Sequence, residues 1–236
     1  MTPLPRLMVA PNGARRSKAD HPALPITDAE IVATALDCQR AGADGIHVHI
    51  RDANGQHEID ADHYRAILDR LRQAVPDMYL QVTSESAGRY SGAEQRAIMV
   101  RDPEDWEQAQ DFYEWALASG VEIQHILYAP GEVRNFVDAL DAGRIPGKEH
   151  LIQLVQGSYA NGSADSVALS AYLDEMKRAD GMRFDWMLCA FGAAETASLA
   201  LAAKMGGKLR HGDGSLAADN AARVREVDAA LRDINR

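Results

Sequence analysis

Short apolar runs alternate with amphipathic segments from one end of the chain to the other. The runs are apolar on both faces, which is typical of strands in a covered parallel sheet, and the segments between them repeat apolar residues at helical spacing. This alternation predicts βα units and therefore an α/β protein. The seven predicted strands are residues 6–10, 45–50, 78–82, 121–128, 150–155, 184–191 and 208–210.

The number of strands decides between two α/β architectures. A closed (β/α)8 barrel needs eight strands, and the sequence supplies seven clear ones. The deficit lies between residues 87 and 120, where only residues 97–100 have a strand pattern, ahead of the helical stretch DPEDWEQAQDFYEWALAS. We expect a TIM barrel with a short or irregular fourth βα unit, and an open doubly wound sheet is the alternative. No linker interrupts the chain, so residues 1–236 are expected to form a single barrel domain.

The ends of the predicted helices carry recognisable signals. Thr27 followed by Glu30 forms the pattern of a capping box at the start of the first helix. Pro76 stops the second helix, residues 61–74, and the pair Gly206-Gly207 ends the helix before the last strand. These signals support the strand and helix boundaries above.

Composition narrows the class of protein. The chain has 46% hydrophobic residues but no apolar stretch of transmembrane length, which predicts a soluble protein. Lys and Arg number 25 against 35 Asp and Glu, and the net charge of -10 argues against a nucleic-acid surface and weakly against an acidic membrane. With two cysteines and no signal-like N-terminus, we expect a cytoplasmic protein without disulfides.

His47 and His49 lie one residue apart in the stretch GADGIHVHIRDANG, residues 42–55. In a strand, residues two apart point to the same side, close enough for two imidazoles to bind one metal ion at about 2.0–2.1 Å. The apolar neighbours favour a strand, and the following turn puts His49 near its carboxyl end, where parallel α/β enzymes build their sites. Spacing alone leaves two interpretations open: the pair are two metal ligands, or they are two hydrogen-bonded core histidines.

Several motifs, in order over nearly the whole chain, resemble the β-keto acid cleavage enzymes, the family of 3-keto-5-aminohexanoate cleavage enzyme. They are APNGAR (10–15), LPITDAEI (24–31), AGADGIHVHIRDANG (41–55), QVTSESAGRY (81–90), QHILY (124–128), CAFGAAE (189–195) and GGKLR (206–210). The resemblance implies a zinc-dependent TIM-barrel acyltransferase, a homo-oligomer and by family a tetramer. Such an enzyme cleaves a β-keto acid with acetyl-CoA and gives acetoacetate and a new CoA thioester.

The resemblance also assigns the metal and catalytic residues. His47 and His49 match the two histidine ligands of zinc, and Arg210 matches the last-strand arginine that meets substrate charge and helps to form the reactive species. A dication held by neutral imidazoles can polarise a β-keto oxygen and stabilise an enolate. An arginine is always protonated and offers a fork that matches a carboxylate.

The expected substrate-binding residues lie in two loops. Asn12 and Arg15 belong to the loop after the first strand, and Thr83, Ser84 and Ser86 follow the third strand, where the family surrounds the carboxylate and keto group of the substrate. The hydroxyls of this second loop could equally be turn residues. Arg15 stands where the named enzyme has a carboxylate that meets the substrate amine. We therefore expect an anionic or neutral β-keto acid rather than a cationic one.

The chain departs from the family at two places. Arg210 runs directly into HGDGSLA, residues 211–217, so that the segment with the family's glutamate, the third zinc ligand, is absent. Asp213 or His211 could take that role, because a catalytic zinc needs three protein ligands. The second departure coincides with the missing fourth strand near Arg101. Both departures make a catalytically impaired barrel homologue the first alternative function.

A second alternative is a metal-dependent hydrolase of the amidohydrolase type. These enzymes also combine a His-x-His pair with later metal ligands on a barrel, and His47, His49, His125 and Asp213 could imitate that set. However, the pair belongs to the first barrel strand in those hydrolases, whereas here a clear strand precedes it. Glu195 is expected to be a first-turn helix carboxylate rather than a catalytic base.

Overall fold

The computed structural model describes residues 1–84, 106–157, 168–212 and 217–234. Within these ranges seven strands alternate with seven helices, which confirms the predicted α/β pattern. In chain order they are β1 (Leu7–Val9), α1 (Asp28–Ala41), β2 (Gly45–Val48), α2 (Ala61–Ala74), β3 (Tyr79–Val82), α3 (Trp106–Ala118), β4 (Gln124–Leu127), α4 (Pro130–Asp141), β5 (Glu149–Gln156), α5 (Leu169–Met176), β6 (Arg183–Ala190), α6 (Glu195–Lys204), β7 (Lys208–His211) and α7 (Asn220–Ile234).

The chain divides into two compact units. The first unit comprises Pro5–Val100 and Leu209–Arg236, and the second comprises Met1–Leu4 and Arg101–Lys208. The first unit holds β1, β2, β3 and β7 from Leu209 onward, and the second holds β4, β5 and β6. The strand pairs within each unit are parallel, which requires crossover connections of the kind that the helices supply.

The register of the first unit puts three polar side chains on one face of its strands. These strands lie in the order β3, β2, β1, β7. Met8 of β1 lies opposite both Gly45 of β2 and Arg210 of β7, and His47 of β2 lies opposite Gln81 of β3. Since residues two apart in a strand share a face, as do aligned residues of parallel neighbours, Arg210, His47 and Gln81 point to the same side.

The opposite face of these strands is apolar and covered by helices. Its side chains are fully or almost fully buried, and they are Leu7, Val9, Ile46, Val48 and Leu209. Helix α1 contacts β2, helix α7 contacts β1, and the two helices contact each other. Burial of this face drives the formation of the unit and leaves the other face for polar groups.

The second unit is built around β5, which pairs with β4 on one side and β6 on the other. Every residue of β5 except Glu149 is buried, as expected of a central parallel strand. A Cβ at Gly207 would lie 2.3 Å from the ring of Trp186. Only glycine fits there, which explains one member of the Gly-Gly pair before the last strand.

The boundaries agree with the predictions except at a few ends. The capping box is confirmed, because the Thr27 hydroxyl accepts from the Glu30 amide while the Glu30 carboxylate accepts from the Thr27 amide. Strand β2 ends at Val48 rather than at residue 50, because its partner β3 ends at Val82, directly opposite. The predicted strand at residues 97–100 lies outside the described residues. Among those that are described, no helix has the length and apolarity needed to cross a membrane.

Candidate active site

The two histidines lie together at the carboxyl end of β2. His47 is the third residue of β2 and His49 follows its last residue, and each side chain belongs to a residue that is only 3% exposed. Their ring centroids are 4.8 Å apart with an interplanar angle of 68°. The structure therefore brings the predicted pair into direct contact, buried and on the polar face of the first unit.

Gln81 holds the ring of His47 from the neighbouring strand. The distance from Nδ1 of His47 to Oε1 of Gln81 is 2.6 Å. An amide oxygen only accepts hydrogen bonds, so Nδ1 carries the proton and Nε2 carries the lone pair. Burial, followed by the charge of Arg210, holds the pKa of His47 well below its usual value. The ring is therefore neutral near pH 7, which is the form that binds metal ions.

His49 has a different environment. Its backbone carbonyl accepts a hydrogen bond of 2.8 Å from Nδ2 of Asn12, and its ring lies 5.1 Å from that of His57. Burial, then His47 and Arg210, keep the pKa of His49 well below its usual value, so this ring is also neutral. Its Nδ1 atom is buried and has no hydrogen-bond partner within the described part of the chain.

The nitrogen donors of this pair fit a zinc ion. Two neutral imidazoles in contact suit its preference for nitrogen ligands, and the buried Nδ1 of His49 is a polar atom that a ligand would satisfy. Within residues 1–84, 106–157, 168–212 and 217–234, however, no three His, Cys, Asp or Glu side chains form a metal-binding group. The predicted third ligand, Asp213, lies outside these ranges.

His211, the other candidate for a third ligand, lies on the wrong side of the strands. It follows Arg210 in β7, so its side chain points to the opposite face. His211 is fully buried, and its Nδ1 lies 2.8 Å from the Gly212 carbonyl. Burial lowers its pKa to about 3, with contributions from Arg223 of α7 and from Arg210. In this arrangement the side chain of His211 therefore points away from the face that carries His47 and His49.

Arg210 lies close enough to both site histidines to act on their charge. It is 8% exposed, and its guanidinium helps to depress the pKa of His47 and of His49. A buried permanent cation beside two neutral imidazoles makes this face an environment for anions. The role of Arg210 at the substrate stays a prediction.

Arg51, a buried arginine that is not among the predicted site residues, holds the loop after β1. Arg51 is 7% exposed and donates hydrogen bonds to four carbonyls of the 12–16 loop and to that of Gly55. Nδ2 of Asn220 also donates to the carbonyl of Pro11 at 3.0 Å. This clamp fixes Asn12, which is fully buried, beside His49, while Arg15 stays exposed.

The predicted substrate loop after β3 is described only at its start. Thr83 is buried and Ser84 half-buried. Thr83 lies two residues beyond Gln81, which puts it on the polar face. Ser86 lies outside the described residues. The structure therefore brings Asn12, Thr83, His47, His49 and Arg210 to one end of the first unit, and their assignment to substrate stays a prediction.

His125 and Glu195 belong to the second unit and have their own partners. Nε2 of His125 lies 2.7 Å from the hydroxyl of Tyr113, and burial and His150 lower the pKa of His125 to about 4. Glu195 lies in the first turn of α6, as predicted, and it is buried there. Among the described residues, the amidohydrolase-like set is not assembled into a metal group.

Three residues of this site are not among those predicted from the sequence: Gln81, Arg51 and His57. For Gln81 a signal exists, because it alternates in phase with Thr83 as a polar residue in an otherwise apolar strand. Arg51 and His57 belong to a turn in which they form an antiparallel bridge, and no local pattern indicates their burial.

The chain is similar in sequence to known proteins. The family model of the beta-keto acid cleavage enzyme matches residues 6–236. A 3-oxoadipate:acetyl-CoA acetyltransferase from Cupriavidus necator is 25% identical over 261 residues, covering 98% of this chain and 89% of that protein. A 3-keto-5-aminohexanoate cleavage enzyme from Fusobacterium nucleatum is 33% identical over 75 residues, 32% of this chain and 28% of that protein.

A solved structure of ObcA with oxaloacetate superposes with a TM-score of 0.70 at 17% identity, covering 91% of this chain and 64% of that one. The chain thus spans less than two thirds of ObcA, and the likeness shows a fold of the TIM-barrel type. Fold and site together define an α/β enzyme with its polar groups at the carboxyl ends of parallel strands. The chain belongs to the beta-keto acid cleavage enzyme family, as its motifs predicted. The enzyme class predicted with it, an acetyl-CoA-dependent acyltransferase, is supported by the relative from C. necator.

Proposed function

We propose that this chain cleaves a β-keto acid with acetyl-CoA, giving acetoacetate and the CoA thioester of the remaining acyl group. The observation that carries this proposal is the buried cluster of His47, His49 and Arg210 near the carboxyl ends of the strands of the first unit. Membership of the family supplies the reaction class. The cluster supplies the matching chemistry, which is a neutral imidazole pair beside a permanent cation.

A zinc ion completes the proposed site. His47 and His49 would hold it, with the carboxylate of Asp213 as the third ligand. When bound, zinc supplies a Lewis acid that polarises the β-keto oxygen of the substrate. Arg210 binds the substrate carboxylate and holds it next to the histidine pair, and its burial strengthens that contact. The hydroxyls of Thr83, Ser84 and Ser86 and the amide of Asn12 orient the substrate.

The charge of the site favours an anionic substrate. The groups whose charges depress the pKa of His49 are His47, Arg210, His57 and Arg51, all of them cationic when charged. Arg15, on the clamped loop, adds a cation where a cationic substrate would need a carboxylate. The C. necator relative is named for 3-oxoadipate, an anion at both ends. We propose a β-keto acid with an anionic or neutral acyl chain as substrate.

The experiment incubates purified protein with zinc, acetyl-CoA and three β-keto acids, namely 3-oxoadipate, 3-oxohexanoate and 3-keto-5-aminohexanoate, and measures acetoacetate. We expect acetoacetate from 3-oxoadipate, whose acyl chain is anionic, or from 3-oxohexanoate, whose acyl chain is neutral. We expect little from 3-keto-5-aminohexanoate, whose acyl chain is cationic. Arg210→Ala should lower kcat/KM by at least about a hundredfold, as removal of a buried charged contact to the reacting groups does. Arg183→Ala, at an exposed position, is the matched control.

One result would decide against this reaction, and another would decide against the proposed substrate class. If no acid yields acetoacetate with zinc present, the chain is the catalytically impaired homologue that its shortened segments suggest. If the cationic acid is the best substrate, the charge argument for the substrate is wrong.

We also propose that the complete chain is a (β/α)8 barrel with a short or irregular fourth unit, folding as one domain over residues 1–236 and working as a cytoplasmic homo-oligomer, by family a tetramer. The seven parallel strands and the TIM-barrel likeness support the barrel. Calorimetry should give one cooperative transition, and light scattering after gel filtration should give a mass of several chains. Two separate transitions, or a monomer, would contradict this proposal.

A further inference from the structure

The contact between Gln81 and His47 is short and built into the strand register. His47 lies directly opposite Gln81 in the β2–β3 pair, so the two Cα positions are fixed by the backbone ladder. The side chains point to the same face, and their polar atoms are 2.6 Å apart. A contact set by two paired strands keeps its geometry better than one set by loops.

This contact selects one of the two tautomers of His47. A neutral imidazole carries one proton, on Nδ1 or on Nε2. The Gln81 oxygen can only accept, so it stabilises the proton on Nδ1 and leaves the lone pair on Nε2. We infer that Gln81 is a positioning residue that fixes His47 in the Nδ1–H tautomer and thereby presents Nε2 to the ligand of the site.

The chemistry of an amide matters as much as its position. Metal-binding histidines commonly donate their other N–H to a carboxylate, a carbonyl or a water. Gln81 provides the neutral version of this contact, so it adds no negative charge beside a bound cation or Arg210. A carboxylate at the same place would instead make the ring a stronger donor and neutralise part of the cationic field.

His49 provides an internal contrast. Its Nδ1 has no hydrogen-bond partner within the described residues, and its ring lies 4.8 Å from that of His47 and 5.1 Å from that of His57. Of the pair, His47 is the one whose ring orientation depends on a side-chain hydrogen bond from a neighbouring strand. Changes at residue 81 should therefore affect His47 selectively.

This inference rests on the proposed zinc site, so its test includes a measurement without metal. Long-range ¹H–¹⁵N NMR of the histidine rings in the metal-free protein reports which nitrogen of His47 carries the proton. We expect the Nδ1–H tautomer in the unchanged protein and a mixture in Gln81→Leu. Gln81→Glu, which keeps an acceptor at the same place, should restore the tautomer. Gln73→Leu, exposed on α2, is the control for loss of a glutamine elsewhere.

The second measurement is zinc affinity, from competition with a chelator, together with the absorption spectrum of the cobalt-substituted protein. We expect Gln81→Leu to weaken zinc binding about 10–100-fold, the usual effect of removing such a partner, and Gln81→Glu to bind at least as tightly as the unchanged protein. The cobalt spectrum should change in Gln81→Leu and not in Gln73→Leu.

The outcomes separate the two proposals. An Nε2–H tautomer in the unchanged protein, or a His47 tautomer that is the same in Gln81→Leu, overturns the inference. So does an unchanged zinc affinity in Gln81→Leu. If the unchanged protein binds no zinc, the zinc site of the proposed function fails, and the NMR measurement alone decides whether Gln81 sets the tautomer.

Discussion

A single side chain, Arg51, holds the loop on which part of the proposed substrate site depends. Its guanidinium donates to four carbonyls of the 12–16 loop, and it is nearly fully buried while doing so. Arginine suits this role because its planar fork has five donors in fixed directions, whereas the lysine ammonium has three around one point. The position of Asn12 beside His49 follows from this clamp.

Replacement of Arg51 by alanine should lower the free energy of unfolding by about 3 kcal/mol, because several partly buried carbonyls lose a charged donor together. Arg51→Lys should recover only part of this loss. Urea unfolding measures the effect. Arg65→Ala, an exposed arginine of α2, should change stability by less than about 0.5 kcal/mol. Equal effects of the two alanine variants would show that the clamp does not stabilise the loop.

At the scale of elements, His63 joins two helices by ionic hydrogen bonds. Its Nε2 lies 2.9 Å from Asp28 in the first turn of α1, and its Nδ1 lies 2.7 Å from Glu58, which precedes α2. Partial burial lowers the pKa of His63, but the hydrogen bonds and charges of Asp28 and Glu58 outweigh it, so that the pKa is raised. The folded state therefore binds this proton more tightly than the unfolded state.

Because the pKa of His63 is raised, its contacts stabilise the fold at a pH at which the histidine is protonated in both the folded and the unfolded state. The contribution is fully present below the unfolded pKa of 6.5 and is lost as the pH rises through the higher folded value. His63→Gln should therefore cost more free energy of unfolding at pH 5.5 than at pH 8.5, measured by urea denaturation. Asp62→Asn, an exposed neighbour whose partner is Arg65, is the control. A loss that is the same at both pH values would contradict this account.

The sequence predicts a feature of these elements when neighbouring residues cause it, and does not when residues far away in the chain cause it. The capping box at Thr27 and the strand that carries His47 follow from neighbouring residues, and both are confirmed. The end of β2 at Val48 and the pairing of His47 with Gln81 depend on where β3 lies against β2, which no local pattern contains. Likewise, the burial of Arg51 follows from loop carbonyls far away in the sequence. The site was therefore predictable in its strand residues and not in the contacts between strands and loops.

At the scale of the whole molecule, the charge of the site opposes that of the chain. The chain has a net charge of -10, yet the polar face of the first unit brings together Arg210, Arg51 and a histidine pair. Anions are therefore not drawn to the molecule by its overall charge, and their binding has to come from close contacts in the site, which salt screens less. A bound dication would strengthen this local field.

Zinc binding should stabilise the whole fold, because a ligand that binds only the folded state adds to the free energy of unfolding. The gain is about 2.7 kcal/mol at a free zinc concentration of one hundred times Kd. We expect unfolding in urea to shift to higher concentration with zinc and to return with a chelator. His47→Ala, His49→Ala and Asp213→Asn should each remove the zinc-dependent gain, while His63→Gln, away from the proposed site, should keep it. A gain that survives in His47→Ala would mean that the stabilising ion binds elsewhere, whereas a gain lost in the two histidine variants but kept in Asp213→Asn would mean that another group supplies the third ligand.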